Sequence, residues 1–213
     1  MLVIIDGSNL EAERWRLEDA YRHRHRIFVE EMGWEALRRP DGREIDRFDD
    51  EHAVHMLLYD GIELIGYQRM LPTLRPYLLT EIYPQLCDGE PPHDPSVYEW
   101  TRFAVLAAHR GDGRGLGRAG AELVLGYVEW GLSKGVHTVV VELEPIQTLK
   151  FIQCGFLTAS LGIVHQIGGR STVAMLAYFD ERTRAILLNL VGRPVPDSYS
   201  TAREGDRDAP RHA

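Results

Sequence analysis

Residues 98–143 constrain the fold more than any other stretch of the chain. Positions 98–107 carry bulky residues at odd and even places alike, as a central strand covered on both faces does. From Leu116 to Lys134, Leu, Val and Ala return at helical intervals, and Gly135 closes the run. Residues 136–143 then read as an apolar strand, and Pro145 is placed to open a further helix that Gly155 ends. Strand, long helix, strand and helix in succession require a sheet layered with helices.

The flanking segments fill in that architecture. Residues 1–6 form a short edge strand, and Ser8 or Asn9 is expected to cap a helix running to about His25. Residues 28–50, broken by Gly33 and by Pro40-Asp-Gly42, are expected to form a long ordered loop or lid. Residues 53–59 and 62–70 flank Asp60-Gly61 as a hairpin, and residues 161–167 and 172–179 flank Gly168-Gly169 as another. Prolines at 72, 76, 84, 91, 92 and 95 mark 71–96 as a connection with one short helix, and 180–191 is a final helix. The fold class is therefore α/β, a mixed sheet flanked by helices, in a single domain over 1–192. The apolar-poor tail 193–213 is expected to be disordered.

Composition excludes several functions. The formal charge of −8, from 32 acidic against 24 basic residues, argues against a nucleic-acid surface and against attraction to an acidic membrane. No run approaches a transmembrane length and no signal-peptide pattern is present, so the expected compartment is the cytoplasm. Cys87 and Cys154 are too few for a disulfide framework, and the scattered histidines, His23 and His25 included, suggest no metal site.

Charged residues gather where elements begin and end. Arg24 leads into the lid, Asp46 and Asp49 close it, Arg69 ends a hairpin strand, and Glu99 and Arg102 share the central strand. A spacing of three puts Glu99 and Arg102 on opposite faces unless a bulge intervenes, so one of them is expected to be buried and paired. Such a network either braces a core or binds a charged ligand, and spacing alone does not choose.

Taken together, Arg24-His-Arg-Ile-Phe28 with Trp34, Glu44-Ile-Asp46-Arg-Phe-Asp49, Arg69-Met-Leu-Pro-Thr73 and Glu99-Trp-Thr-Arg102-Phe-Ala-Val105 closely resemble the acyl-homoserine-lactone synthase family, the autoinducer synthases of bacterial quorum sensing. The resemblance spans about residues 1–190. It implies a GCN5-related N-acetyltransferase-like fold and an acyltransferase that N-acylates S-adenosylmethionine and then closes the lactone, releasing methylthioadenosine. The implied cosubstrates are S-adenosylmethionine and an acyl thioester, with no permanently bound cofactor.

By the same resemblance Arg24, Phe28, Trp34 and Asp46 shape the S-adenosylmethionine site, Asp49 and Arg69 tie the lid to the sheet, and Thr101 stands where the family commonly has Ser. Glu99 is the candidate general base, with Arg102 and Asp46 beside it as catalytic residues. Tyr83 takes the place of the family's usual aromatic in the middle connection.

The donor is expected to be acyl-coenzyme A, with an acyl carrier protein the less favoured partner, because the 145–155 helix offers only Lys150 to an acidic carrier. Arg110, Arg114, Gly115, Gly117 and Arg118, among the glycines at 111, 113, 115 and 117, suit a pyrophosphate at a helix start. Val139, Val141, Ile146 and Leu149 are expected to line the acyl slot and to favour a short, branched or aromatic chain. Two readings compete with this one: an N-acyltransferase acting on another amine, and a noncatalytic ligand-binding protein.

Overall fold

The computed structural model describes residues 1–111 and 115–196. Eight strands form one mixed sheet: β1 (Leu2–Ile5), β2 (Val54–Asp60), β3 (Glu63–Pro72), β4 (Val97–Val105), β5 (Thr138–Leu143), β6 (Leu157–Ser160), β7 (His165–Ile167) and β8 (Arg170–Tyr178). Their order is β1-β2-β3-β4-β5-β8-β6, with β7 also paired to β8. Only β4 and β5 run parallel among the described strands.

The helices are α1 (Arg14–Arg24), α2 (Leu78–Glu81), α3 (Gly117–Lys134), α4 (Thr148–Gln153) and α5 (Glu181–Val191). Helices α3 and α5 cover one face, where Val139, Val141, Met175 and Phe179 pack with Val124, Val128 and Leu187. On the other face α1 packs over Leu57, Tyr59 and Tyr67, while α2 and Phe48 pack over Leu71 and Val140.

Three local expectations need correction. The first helix starts at Arg14, without a side-chain cap, because Asp6, Ser8 and Asn9 bond locally instead: Asn9 Nδ2 donates to the Ile4 carbonyl (3.0 Å) and the Asp6 N–H donates to Asn9 Oδ1 (2.9 Å). That helix also outruns its expected end, continuing as a π-helical stretch, His25–Glu31. The wider turn keeps Arg24, Ile27, Phe28 and Val29 all buried. The lid therefore begins at Met32. Strand β6 departs from expectation, because it is four residues long and mostly exposed, with no buried stripe to mark it; it pairs with β8.

The decisive irregularity lies on β4. Arg69 pairs with Thr101 and Tyr67 with Ala104, so Arg102 and Phe103 together oppose Gln68. Arg102 holds φ at 56°, the one non-glycine positive φ among the described residues. This bulge turns Arg102 toward the lid and sends Phe103 to the α3 side. Just before it, the ladder between β4 and β5 ends at Glu99–Val140, and the two strands part into a fork.

Candidate active site

Under the lid, three arginines meet three carboxylates. Arg24 Nε donates to Glu44 Oε2 and its Nη1 to Asp49 Oδ1, both at 2.6 Å. Arg69 reaches Asp46 through Nη1 and Nη2 (2.7 and 3.0 Å), Asp49 Oδ1 (2.7 Å) and Thr101 Oγ1 (3.1 Å). Arg102 closes the ring on Glu44 (3.1 Å twice) and Asp46 Oδ2 (2.8 Å). Arg24, Arg69 and Asp49 have no exposed side-chain surface, whereas Asp46 keeps 19% and Arg102 10%. The inner members brace, and the outer two face whatever the lid covers. Beside Arg102, Phe28 stacks on the partly exposed Trp34 with ring centroids 5.1 Å apart.

Burial alone would raise the pKa of each carboxyl here, but the guanidinium groups outweigh it. Arg24 and Arg102 lower Glu44, Arg69 lowers Asp46, and Arg69 with Arg24 holds Asp49 well below the usual carboxylate range. Depressed values mean that the network stabilises the fold fully above the ordinary values of 3.8 and 4.5 and loses that contribution as pH falls through the folded values. Thermal melts between pH 6 and 3 should show the midpoint dropping steeply below about pH 4.

Glu44, which sequence reasoning did not single out as a site residue, is the hinge between Arg24 and Arg102. It could have been found only by matching three arginines against the two aspartates and asking for a third acid.

Glu99 occupies a different environment and is fully buried. Its carboxylate accepts the N–H groups of Leu78 (2.9 Å) and Leu79 (2.7 Å) at the start of α2. Burial raises its pKa; those two N–H groups, a hydrogen bond with Glu142 and the charge on Arg69 pull the other way without prevailing. The arginine three residues on is thus not its partner: as expected, one of the two, Glu99, is buried and bonded, while Arg102 is half-buried and pairs with Glu44 and Asp46 instead.

The expected coenzyme A and acyl residues fare unevenly. Gly117 opens α3 with φ at 65°, pressed so close to the Arg110 carbonyl that a Cβ would lie 2.6 Å from that oxygen. Gly115 precedes it and Arg118 stands exposed in the first turn, but Arg110 is bound to Glu31 and the Val105 carbonyl. Arg114 lies outside the described residues.

The four acyl-slot residues do not converge. Val139 and Val141 point into the α3–α5 core, and Ile146 and Leu149 are 65% and 54% exposed. Alternation along β5 sends the two valines to the helical face, which residue type alone did not reveal. The rings nearest the fork on that face are Trp100, Phe103, Tyr127 and Phe151, with Trp100 5.3 to 5.9 Å from each of the others. A separate cleft of about 270 Å³ opens between the lid (Arg47, Phe48, Asp50, His52) and the β3–α2 connection (Pro72, Arg75, Pro76). Among the described residues no acidic, His and Cys side chains cluster as metal ligands, and no helix is long and apolar enough to cross a membrane.

The sequence profile of the autoinducer synthases matches residues 8–183. The chain belongs to the autoinducer synthase family. It is an acyltransferase of that type. The isovaleryl-homoserine lactone synthase of Bradyrhizobium diazoefficiens is 34% identical over 195 residues, 91% of this chain and 87% of that one. The synthase fold superposes on the solved CoA-dependent acyl-homoserine lactone synthase BjaI, with SAM and isopentyl-CoA, at a TM-score of 0.84 and 31% identity, covering 96% of this chain and 99% of the other. A putative N-acetyltransferase from Lactobacillus plantarum, at 21% identity and a TM-score of 0.53 over 84% of this chain and 99% of that one, shares the fold alone, which bears out the acetyltransferase-like sheet.

Proposed function

We propose that this synthase transfers an acyl group from acyl-coenzyme A to the amine of S-adenosylmethionine and then closes the homoserine lactone, releasing methylthioadenosine, to make a quorum-sensing signal. The observation that carries this reading is a buried carboxyl, Glu99, of raised pKa, set where β4 and β5 part and flanked by a lidded ring of opposed charges. A CoA-dependent relative solved with SAM and isopentyl-CoA supports the choice of cosubstrates.

An amine attacks a thioester only as the free base, so an acceptor held near the operating pH is the group the reaction needs. Glu99 takes that proton with the lone pairs that Leu78 and Leu79 leave free, directly or through a water. Arg102 and Asp46, the partly exposed members of the ring, orient the carboxylate and the ammonium end of S-adenosylmethionine, and the Phe28–Trp34 stack offers an aromatic face to the sulfonium. Arg24, Asp49, Arg69 and Thr101 hold those two groups in place. The strand fork leaves β4 backbone N–H groups unpaired with β5, and these receive the charge on the thioester oxygen. Lactone closure is intramolecular: the substrate carboxylate attacks its own γ-carbon and methylthioadenosine departs, so holding the chain bent supplies most of the acceleration.

Coenzyme A is favoured over a carrier protein because α4 presents Lys150 alone, while Glu144 is already paired with Arg170. The N–H groups of the α3 first turn and Arg118 take the pyrophosphate. Arg118→Ala should raise KM for acyl-coenzyme A several-fold and leave KM for S-adenosylmethionine unchanged, and the gap should close when an acyl-pantetheine replaces the nucleotide thioester. The rings around Trp100 fill the space behind the fork and favour a short, branched or aromatic acyl group. Mass spectrometry of the lactone formed from mixed acyl-coenzyme A and acyl-carrier donors tests the whole reading; thiol release without methylthioadenosine would replace it with acylation of another amine.

A further inference from the structure

Glu142 is a half-buried acid, its Oε1 enclosed, with no part in the scheme above. It lies on β5 two residues beyond Val140, the last β5 residue paired with β4, so it stands at the mouth of the fork on the face that Glu99 occupies. Its carboxyl is hydrogen-bonded to the Glu99 carboxyl, and its Oε1 is enclosed without a protein partner. Among the described residues no cation pairs with it. Arg102 is taken by Glu44 and Asp46, Arg69 by Asp46, Asp49 and Thr101, and Arg170 by Glu144. The other titratable groups facing the pair, Tyr77 and Tyr83 from the α2 side, bring no positive charge.

Two enclosed carboxyl groups in contact keep one proton between them. Its place follows from the donors: the Leu78 and Leu79 N–H groups both serve Glu99 and neither serves Glu142. The negative charge therefore rests on Glu99 and the proton on Glu142.

We propose that Glu142 is a positioning residue of this synthase, a neutral acid that donates its O–H to Glu99, keeps that base ionised and fixes its aim into the fork. The proposal rests on Glu99 being the base. As the C–N bond forms, Glu99 takes a proton from the amine nitrogen. When the C–S bond breaks, its electron pair stays on sulfur, and the thiolate takes that proton from the pair, which returns to a single shared proton. Burial and the adjacent Glu99 charge raise the Glu142 pKa well above the usual range, in keeping with this assignment.

Carboxyl carbon NMR of the ligand-free protein, labelled at glutamate, tests the idea without turnover. Wild type should show one glutamate still protonated at neutral pH, and Glu142→Gln should remove that signal. Glu142→Leu removes the donor and should move the Glu99 titration upward by about one unit or more, a tenfold change in proton affinity. Glu142→Gln, whose amide N–H still donates, should leave it near its wild-type position. Turnover should follow suit, measured with the donor that wild type uses fastest: Glu142→Leu loses kcat and shifts the acidic limb of its pH profile, whereas Glu142→Gln keeps both. All glutamates ionised at neutral pH, or a Glu99 titration unmoved in Glu142→Leu, would overturn the proposal. If Glu99→Gln itself retains full turnover, the base assignment fails instead, and the two failures are told apart.

Discussion

Glu99→Gln is expected to lower kcat by about 100- to 10,000-fold, the range general-base removal usually gives, with KM for S-adenosylmethionine little changed. Glutamine keeps the shape and one acceptor, but its amide cannot take the amine proton. The substitution also turns an N–H group toward one of the two α2 donors, so it is expected to cost about 1–3 kcal/mol of stability. Activity should therefore be referred to folded protein, measured beside a thermal melt. Methylthioadenosine release and free thiol should fall together, since lactone closure follows acylation. Undiminished release of both by a folded Glu99→Gln protein would remove the base from the scheme.

Arg69→Leu is expected to destabilise the fold by about 3–5 kcal/mol, because it leaves Asp46 and Asp49 enclosed without their main counter-charge. For a chain of this size that is a loss of roughly 6–20 °C in Tm. The paired substitution Arg69→Leu with Asp49→Leu should cost clearly less than the sum of the two singles, since each single strands the other charge. The deficit should also shrink toward pH 3, where the stranded carboxyls take up protons. An additive pair, or a deficit independent of pH, would show that the ring contributes through packing alone. The same measurement on Glu44→Gln should show a comparable loss, since Glu44 accepts hydrogen bonds from both Arg24 and Arg102.

Much of this was visible in the sequence because it depends on local spacing. The hairpin at Asp60-Gly61, helix α3 with its Gly135 end, strand β4 and helix α5 all stand where hydrophobic period and turn residues put them. The charged residues Arg24, Asp46, Asp49, Arg69 and Arg102 do assemble, and Thr101 bonds the Arg69 guanidinium. Elements with weak periodicity were missed or misplaced: β6 has no buried stripe, and the start of α1 is settled by competing side-chain bonds around Asp6 and Asn9. The four residues expected along the acyl slot do not come together for a related reason: alternation sends Val139 and Val141 to the face of Trp100 and Tyr127, while Ile146 and Leu149 on the far side of Pro145 face out. Reading 136–143 as an apolar strand likewise gives Glu142 no part in the site.

The sequence by itself determined the family, the α/β layering and which charges would be drawn together, since motif residues and hydrophobic period are written along the chain. Only the tertiary structure decided how those charges divide. The bulge at Arg102 hands that arginine to Glu44 and Asp46, and the parting of β4 from β5 leaves Glu99 facing another acid rather than a cation. The reason is that a carboxyl's proton affinity is set by the groups within a few ångströms of it, and residues from α2, β4 and β5 become neighbours only when the sheet closes.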